Sequence, residues 1–160
     1  MQQFNDLVLD IARQERDAGA GEVGENNAGP WVEMYVSDMA ESPVNWCCGF
    51  ICWCIMQGVI VSYKGDIPKW IPEETLSVRN LLNQFREHKK LVEQPQPGDI
   101  IFFWREDPKS WLGHVGIIEK VTGMEIITIE GNKGKFPSKV QNYKYTNWQT
   151  IPNLLGFGRL

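Results

Sequence analysis

The sequence predicts an α+β fold, with N-terminal helices packed on a C-terminal antiparallel sheet. Three observations predict it. Apolar residues recur at helical spacing only before about residue 90. After the turn-forming string Pro95-Gln96-Pro97-Gly98-Asp99, they come instead in short β-branched or aromatic runs. Two of those runs are separated by Thr122-Gly123, a hairpin signal. Helices first and strands later is the order of an α+β chain with an antiparallel sheet.

Phe4, Leu7, Val8 and Ile11 follow the i, i+3, i+4, i+7 pattern, which predicts an amphipathic helix over 2–18. Gly19 to Gly29, with four glycines and two asparagines, reads as a loop. Pro30 suits the first turn of a second helix, with Val32, Tyr35, Val36 and Met39 on one face. A third helix covers about 46–57 and is apolar all round. Residues 58–76, with Gly58, Gly65, Pro68 and Pro72, read as loop. Val78, Leu81, Leu82 and Phe85 mark a helix over about 76–88, ending in the charged cluster 86–90. Strands are expected at 100–104, 114–121, 124–130, 140–145 and 154–159.

The 160 residues, 42% hydrophobic and 22% charged, suffice for one domain over 1–160 with a sizeable core. No internal repeat or interdomain linker is visible. No run of ~18 apolar residues exists to span a membrane. The net charge of −4 argues against a nucleic-acid-wrapping surface. Met1 to Asp10 lacks a basic start followed by an unbroken apolar stretch, so the chain is expected to be made in the cytoplasm without a secretory signal.

All four cysteines fall within eight residues, at Cys47, Cys48, Cys52 and Cys54. Disulfide scaffolds spread their cysteines along the chain, and structural zinc favours separated Cys-x2-4-Cys knuckles. Neither pattern is present. In an apolar helix a thiol packs as a small hydrophobe, and Cys48 shares a face with Cys52. Cys47 differs because it stands at the helix start, where the N-terminal field favours thiolate. Its position alone leaves both readings open, nucleophile and core filler.

A cysteine nucleophile needs a base, and the base an orienting group. The chain has two histidines. His88 lies in the charged helix end and reads as an exposed terminal residue. His114, in Gly113-His114-Val115-Gly116-Ile117, stands where a loop enters an apolar strand, with glycines that allow close approach. If the hairpin closes around 122–123, Glu130 lies near the same open end and accepts from one imidazole nitrogen. Asn132 follows two residues on, able to support the same network.

Trp46-Cys47-Cys48-Gly49-Phe50, then Pro97 to Phe103, then Gly113 to Ile117, then Thr128-Ile129-Glu130-Gly131-Asn132 resemble the CHAP family of cysteine amidases and peptidases. This is a branch of the papain-like NlpC/P60 superfamily. The resemblance runs over about 5–135 and takes in the Gly/Asn-rich lead-in Glu22 to Pro30. It implies the NlpC/P60 fold, with Cys47 as nucleophile, His114 as general base, Glu130 as orienting acid and Asn132 as supporting amide. Cys48, where many relatives carry a small residue, is the alternative nucleophile by register. Trp46 and Trp111 are expected walls of a substrate groove. Some relatives bind calcium before the nucleophile; here that stretch offers only Asp38 and Glu41, so neither metal nor cofactor is expected.

The resemblance implies a peptidoglycan hydrolase cutting an amide bond, as an N-acetylmuramoyl-L-alanine amidase or a peptide endopeptidase. The expected partner is bacterial peptidoglycan, with neither nucleic acid nor membrane. Action in the periplasm or at the cell wall then calls for holin release, as for a phage-type lysin, or specialised secretion, as for an antibacterial effector. An effector would have a cognate immunity protein. The alternatives are a papain-like hydrolase or transferase acting on proteins, and a non-catalytic binding domain in which Cys47 is merely packed.

Overall fold

A computed structural model describes residues 3–62 and 67–160. Gln2, at the expected start of the first helix, and Gly65, in the expected long loop, lie outside the described residues. The helices are α1 (Phe4–Asp17), α2 (Pro30–Val36), α3 (Cys47–Val61) and α4 (Val78–Glu87). The strands are β1 (Leu91–Val92), β2 (Ile100–Trp104), β3 (Gly113–Thr122), β4 (Glu125–Glu130), β5 (Gln141–Tyr145) and β6 (Leu154–Gly158). They form one sheet in the order β1-β6-β2-β3-β4-β5, antiparallel at every pairing. The architecture is α+β.

Each helix buries the stripe its sequence provides. Helix α1 covers the core with Phe4, Val8, Leu9, Ile11 and Ala12. Helix α4 does so with Val78, Leu81, Leu82 and Phe85, and Ser77 caps it by accepting from the Asn80 N–H at 3.2 Å. Helix α3 has no polar face, and it runs between α1, α2 and β3. It runs on to Val61, so Gly58 is buried within the helix against Phe4 and Val8 and does not begin a loop, while Ile60 and Val61 at the end are exposed. Helix α2 is shorter than expected. Ser37, at φ +43°, breaks it, and Met39 falls in the following 3-10 turn, Ser37–Met39.

The sheet separates two apolar clusters. Ile100, Phe102, Val115, Ile117 and Ile129 join the helices in the larger one. Ile101, Phe103, Ile118, Ile126, Trp148 and Phe157 form the smaller one. The hairpin turn is Gly123-Met124, one residue later than expected, because Thr122 pairs with Glu125 and Gly123 takes the left-handed φ of +57°. The pair β1 at the sheet edge was not expected, since two residues carry no periodicity.

The segment before α3 is held from below. The Glu22 carboxylate, buried, accepts from the Trp46 indole N–H at 3.2 Å and from the Ser138 backbone N–H at 2.8 Å. Trp46 also stacks on Tyr35, with ring centroids 5.7 Å apart. Gly131 lies against the same indole: a Cβ there would stand 2.4 Å from Trp46 Cζ3. The residue preceding Cys47 is therefore clamped between the loop before α2 and the loop after β4. Glu22→Ala leaves two buried donors without an acceptor, and the expected loss is about 2–4 kcal/mol. Urea unfolding measures it, and thermal unfolding should fall by about 5–15 °C.

Candidate active site

Three elements meet at the rim where β3 begins. Helix α3 delivers Cys47 in its first turn, β3 delivers His114, and the last residue of β4 is Glu130. All three are buried. His114 Nε2 lies 2.7 Å from Glu130 Oε2, and the Cys47 thiol faces the same imidazole as a hydrogen-bonding partner.

The register explains how Glu130 reaches His114. Ile117 pairs with Ile129, so the same register sets Gly116 opposite Glu130 and His114 one pleat further along the same face. Glu130 crosses over Gly116 to the imidazole. A Cβ at position 116 would stand 2.6 Å from Glu130 Cγ. Gly116 is thus a steric requirement of the site. Gly113 has a different role, making room for Val78 of α4.

Glu130 is 0% exposed, and each carboxylate oxygen has two donors. Thr128 Oγ1 donates to Oε1 at 2.6 Å and the Tyr145 hydroxyl donates to Oε1 at 2.7 Å. Lys133 Nζ stands 3.0 Å from Oε2 and over the rings of Tyr143 and Tyr145. Burial alone would raise this carboxyl. The His114 hydrogen bond and charge, then Lys133 and Thr128, outweigh it and hold the pKa down to about 2. Glu130 is ionised throughout the neutral range.

The other two groups shift towards each other. Burial pushes the Cys47 thiol up, but the His114 hydrogen bond and charge, the Arg105 charge and the Cys48 N–H together bring it below its ordinary value. Burial would lower His114, but its bonds and charge interactions with Cys47 and Glu130 raise it above the usual imidazole range. A lowered thiol beside a raised imidazole is the condition for a thiolate–imidazolium pair.

The remaining thiols face elsewhere. Cys48 pairs with Cys52, and that bond and burial raise it well above the ordinary range. Cys52 Sγ lies 3.5 Å from the Thr75 carbonyl, and burial raises Cys54 as well. The alternative nucleophile by register, Cys48, is thus turned away from His114. His88 is exposed at the end of α4, stacked on Trp70 at 4.5 Å, away from the cysteines.

A cleft of about 190 Å³ opens over Cys47, lined among others by Asn45, Ser77, Arg105, Trp111 and Asn132. Two expectations change here. Trp46 is 0% exposed and is a core residue, because its indole is stacked and hydrogen-bonded beneath the helix; Trp111, 75% exposed, lines the cleft. Asn132 does not join the His114–Glu130 network. At φ +55° it turns its amide across the cleft, and Nδ2 donates to Asn45 Oδ1 at 3.3 Å.

Residues that the sequence reading missed complete the site. Arg105 Nη2 lies 2.9 Å from His114 Nδ1. A guanidinium only donates, so Nδ1 accepts here and the ring proton sits on Nε2, shared with Glu130. Thr128, Lys133 and Tyr145 were missed as well, and Gly116 was read only as a glycine that allows close approach. Arg105 had one available signal, its place directly after the strand run 100–104, but which strand would lie beside that run is not written in its pattern.

Comparisons with known proteins bear on the family and the fold. The CHAP domain profile matches residues 38–132, more than half of the chain. The fold is similar to that in the crystal structure of Ly7917 and in the crystal structure of Ly7917 with the hydrolyzing product of MDP. Each aligns with a TM-score of 0.55 at 16% identity, covering 96% of this chain and 61% of that one. This chain therefore spans less than two thirds of the length of those structures. No curated protein matches it.

The shifted pair sets a pH dependence. Thiolate forms as pH rises through the lowered Cys47 value, so alkylation by iodoacetamide should reach half its maximal rate at a pH below that of an ordinary thiol. Removing the imidazole in His114→Ala should move that midpoint upward; an unmoved midpoint contradicts the pairing. Gly116→Ala should displace Glu130 and slow alkylation at neutral pH about tenfold, read beside an unfolding curve that shows the variant folded.

Proposed function

The chain belongs to the CHAP domain family, and on that premise we propose that it is a cysteine-dependent peptidoglycan hydrolase cleaving an amide bond. The observation that carries the reading is the series Cys47, His114, Glu130 under an open cleft. Ly7917, whose fold is similar, has been crystallised with the hydrolyzing product of MDP. MDP, read as muramyl dipeptide, is a fragment of peptidoglycan, and that supports the substrate class.

The chemistry follows from the geometry. His114 Nδ1 takes the proton from the Cys47 thiol, and Glu130 steadies the resulting imidazolium through Nε2–H. The thiolate is held by the Cys48 N–H and by the start of α3. It attacks the amide carbonyl. The Cys47 backbone N–H, in the helix turn that has no intrahelical acceptor, and the second Nδ2–H of Asn132 are the available donors for the oxyanion. The C–N bond breaks as Nδ1 returns its proton to the leaving nitrogen, and a thioester remains on Cys47. Water then gives a proton to Nδ1 and attacks the thioester carbonyl. The acid product leaves, and the Cys47 thiolate takes the proton back. Trp111, at the cleft rim, offers an exposed ring to the substrate.

The scissile bond is the N-acetylmuramoyl-L-alanine amide or a bond within the peptides, and peptidoglycan lies outside the cytoplasm, where the enzyme would act as a lysin or as a secreted effector. Digestion of purified peptidoglycan, with mass analysis of the fragments, identifies the bond. Cys47→Ala should abolish release of fragments, and retained activity overturns the mechanism. Cys48→Ala should keep most of it. His114→Ala should lose about 100- to 10,000-fold in turnover.

A further inference from the structure

Arg105 stands in a position that the mechanism leaves unused. It is exposed at the end of β2, lines the cleft with Cys47, and donates to His114 Nδ1 at 2.9 Å. Among the described residues it makes no ion pair. A guanidinium has five N–H donors in a planar fork, and here a single side-chain acceptor is engaged.

The contact is not needed to hold the imidazole. Glu130 fixes Nε2 at 2.7 Å, and Phe103 stacks on the ring at 6.2 Å. It also competes with the Cys47 thiol for the Nδ1 lone pair that must receive the thiol proton. In the working complex the guanidinium therefore has another acceptor, and the cleft is where that acceptor lies. The backbone that carries this side chain is held in place. Arg105 N–H bonds the Leu112 carbonyl at 3.1 Å, and Arg79 Nη2 of α4 holds the Pro108 carbonyl at 2.9 Å. Glu106 lines the same cleft and repels an anion at its own end, which confines one to the Arg105 end.

We infer that Arg105 is a specificity residue that binds a carboxylate of the substrate close to the scissile amide, and that this binding draws it off His114. The fork matches a carboxylate with two parallel bonds. The substrate class is thus an acidic peptide whose free carboxylate stands beside the bond to be cut. The inference rests on the hydrolase reading above for its substrate, but anion recognition beside Cys47 is testable without it.

The first arm alkylates Cys47 with iodoacetate and with iodoacetamide, which share a leaving group and differ in charge. The ratio of the two rates should fall about tenfold in Arg105→Ala and by less in Arg105→Lys, which keeps the charge but not the fork. An unchanged ratio in Arg105→Ala overturns the inference. The second arm compares muropeptides that carry the free carboxylate with the same muropeptides amidated. The wild-type enzyme should prefer the acid about tenfold or more in kcat/KM, and Arg105→Ala should lose the preference. Equal cleavage of acid and amide by the wild type overturns carboxylate recognition while leaving the hydrolase reading intact. A ratio that falls in the first arm with no muropeptide cut supports anion binding and rejects the wall substrate.

Discussion

The constraint on which the structure depends is a carboxylate with no access to water. Burying an ionised Glu130 costs several kcal/mol unless its oxygens are satisfied. The donors come from four places: His114 on β3, Thr128 on β4, Tyr145 on β5, and Lys133 in the loop after β4. They fit only if β3, β4 and β5 lie side by side in this order and register. A one-residue slip of β4 would turn the carboxylate to the opposite face and strand the imidazole. The group that holds the His114 imidazole is thus also the group that fixes half of the sheet.

The other half of the site comes from a helix whose length up to Gly58 is mostly buried. Because α3 is apolar all round, α1, α2 and the sheet must enclose it. Its first turn reaches the rim, and Cys47 stands there; at the other end Ile60 and Val61 are exposed. The clamp on Trp46 by Glu22, Tyr35 and Gly131 determines where that turn begins. Cys48, Cys52 and Cys54 fill the enclosed part. Among the described residues no cation shifts these thiols: Cys48 and Cys54 are raised, and Cys52 is lowered by its bond with Cys48, so the four neighbouring cysteines stand in different surroundings.

Much of this was legible in the sequence, for a physical reason. Elements with a strong period, such as α1, α4 and the β3–β4 hairpin, show themselves through local spacing. Cys47, His114 and Glu130 were found because each sits at an element boundary next to glycine or a turn. What failed was information held between elements. Trp46 looked like a groove wall because nothing local shows that Glu22 lies beneath its indole. Asn132 was placed on the histidine network, but its left-handed backbone sends the amide to Asn45. Arg105 was missed because its contact depends on the pairing of β2 with β3 across a long loop. Gly116 was noticed as a glycine permitting approach, but what approaches is Glu130 from the neighbouring strand.

The order of charges in the site explains how a buried pair can exchange a proton. Transfer from Cys47 to His114 leaves the net charge unchanged, so no ion must enter or leave. It creates a dipole instead, and the surroundings already match that dipole. The anionic Glu130 stands behind the imidazole, and the positive end of α3 stands behind the sulfur. Signs then alternate along the line from carboxylate to imidazolium, thiolate and helix start, so each new charge meets an opposite one already in place. Arg105 is the exception to the alternation. Its charge favours the thiolate but opposes the imidazolium it touches, so it stabilises one product of the transfer while holding the lone pair that the other requires. A cation with that double effect favours the thiolate while it is near and frees the Nδ1 lone pair when it is drawn aside.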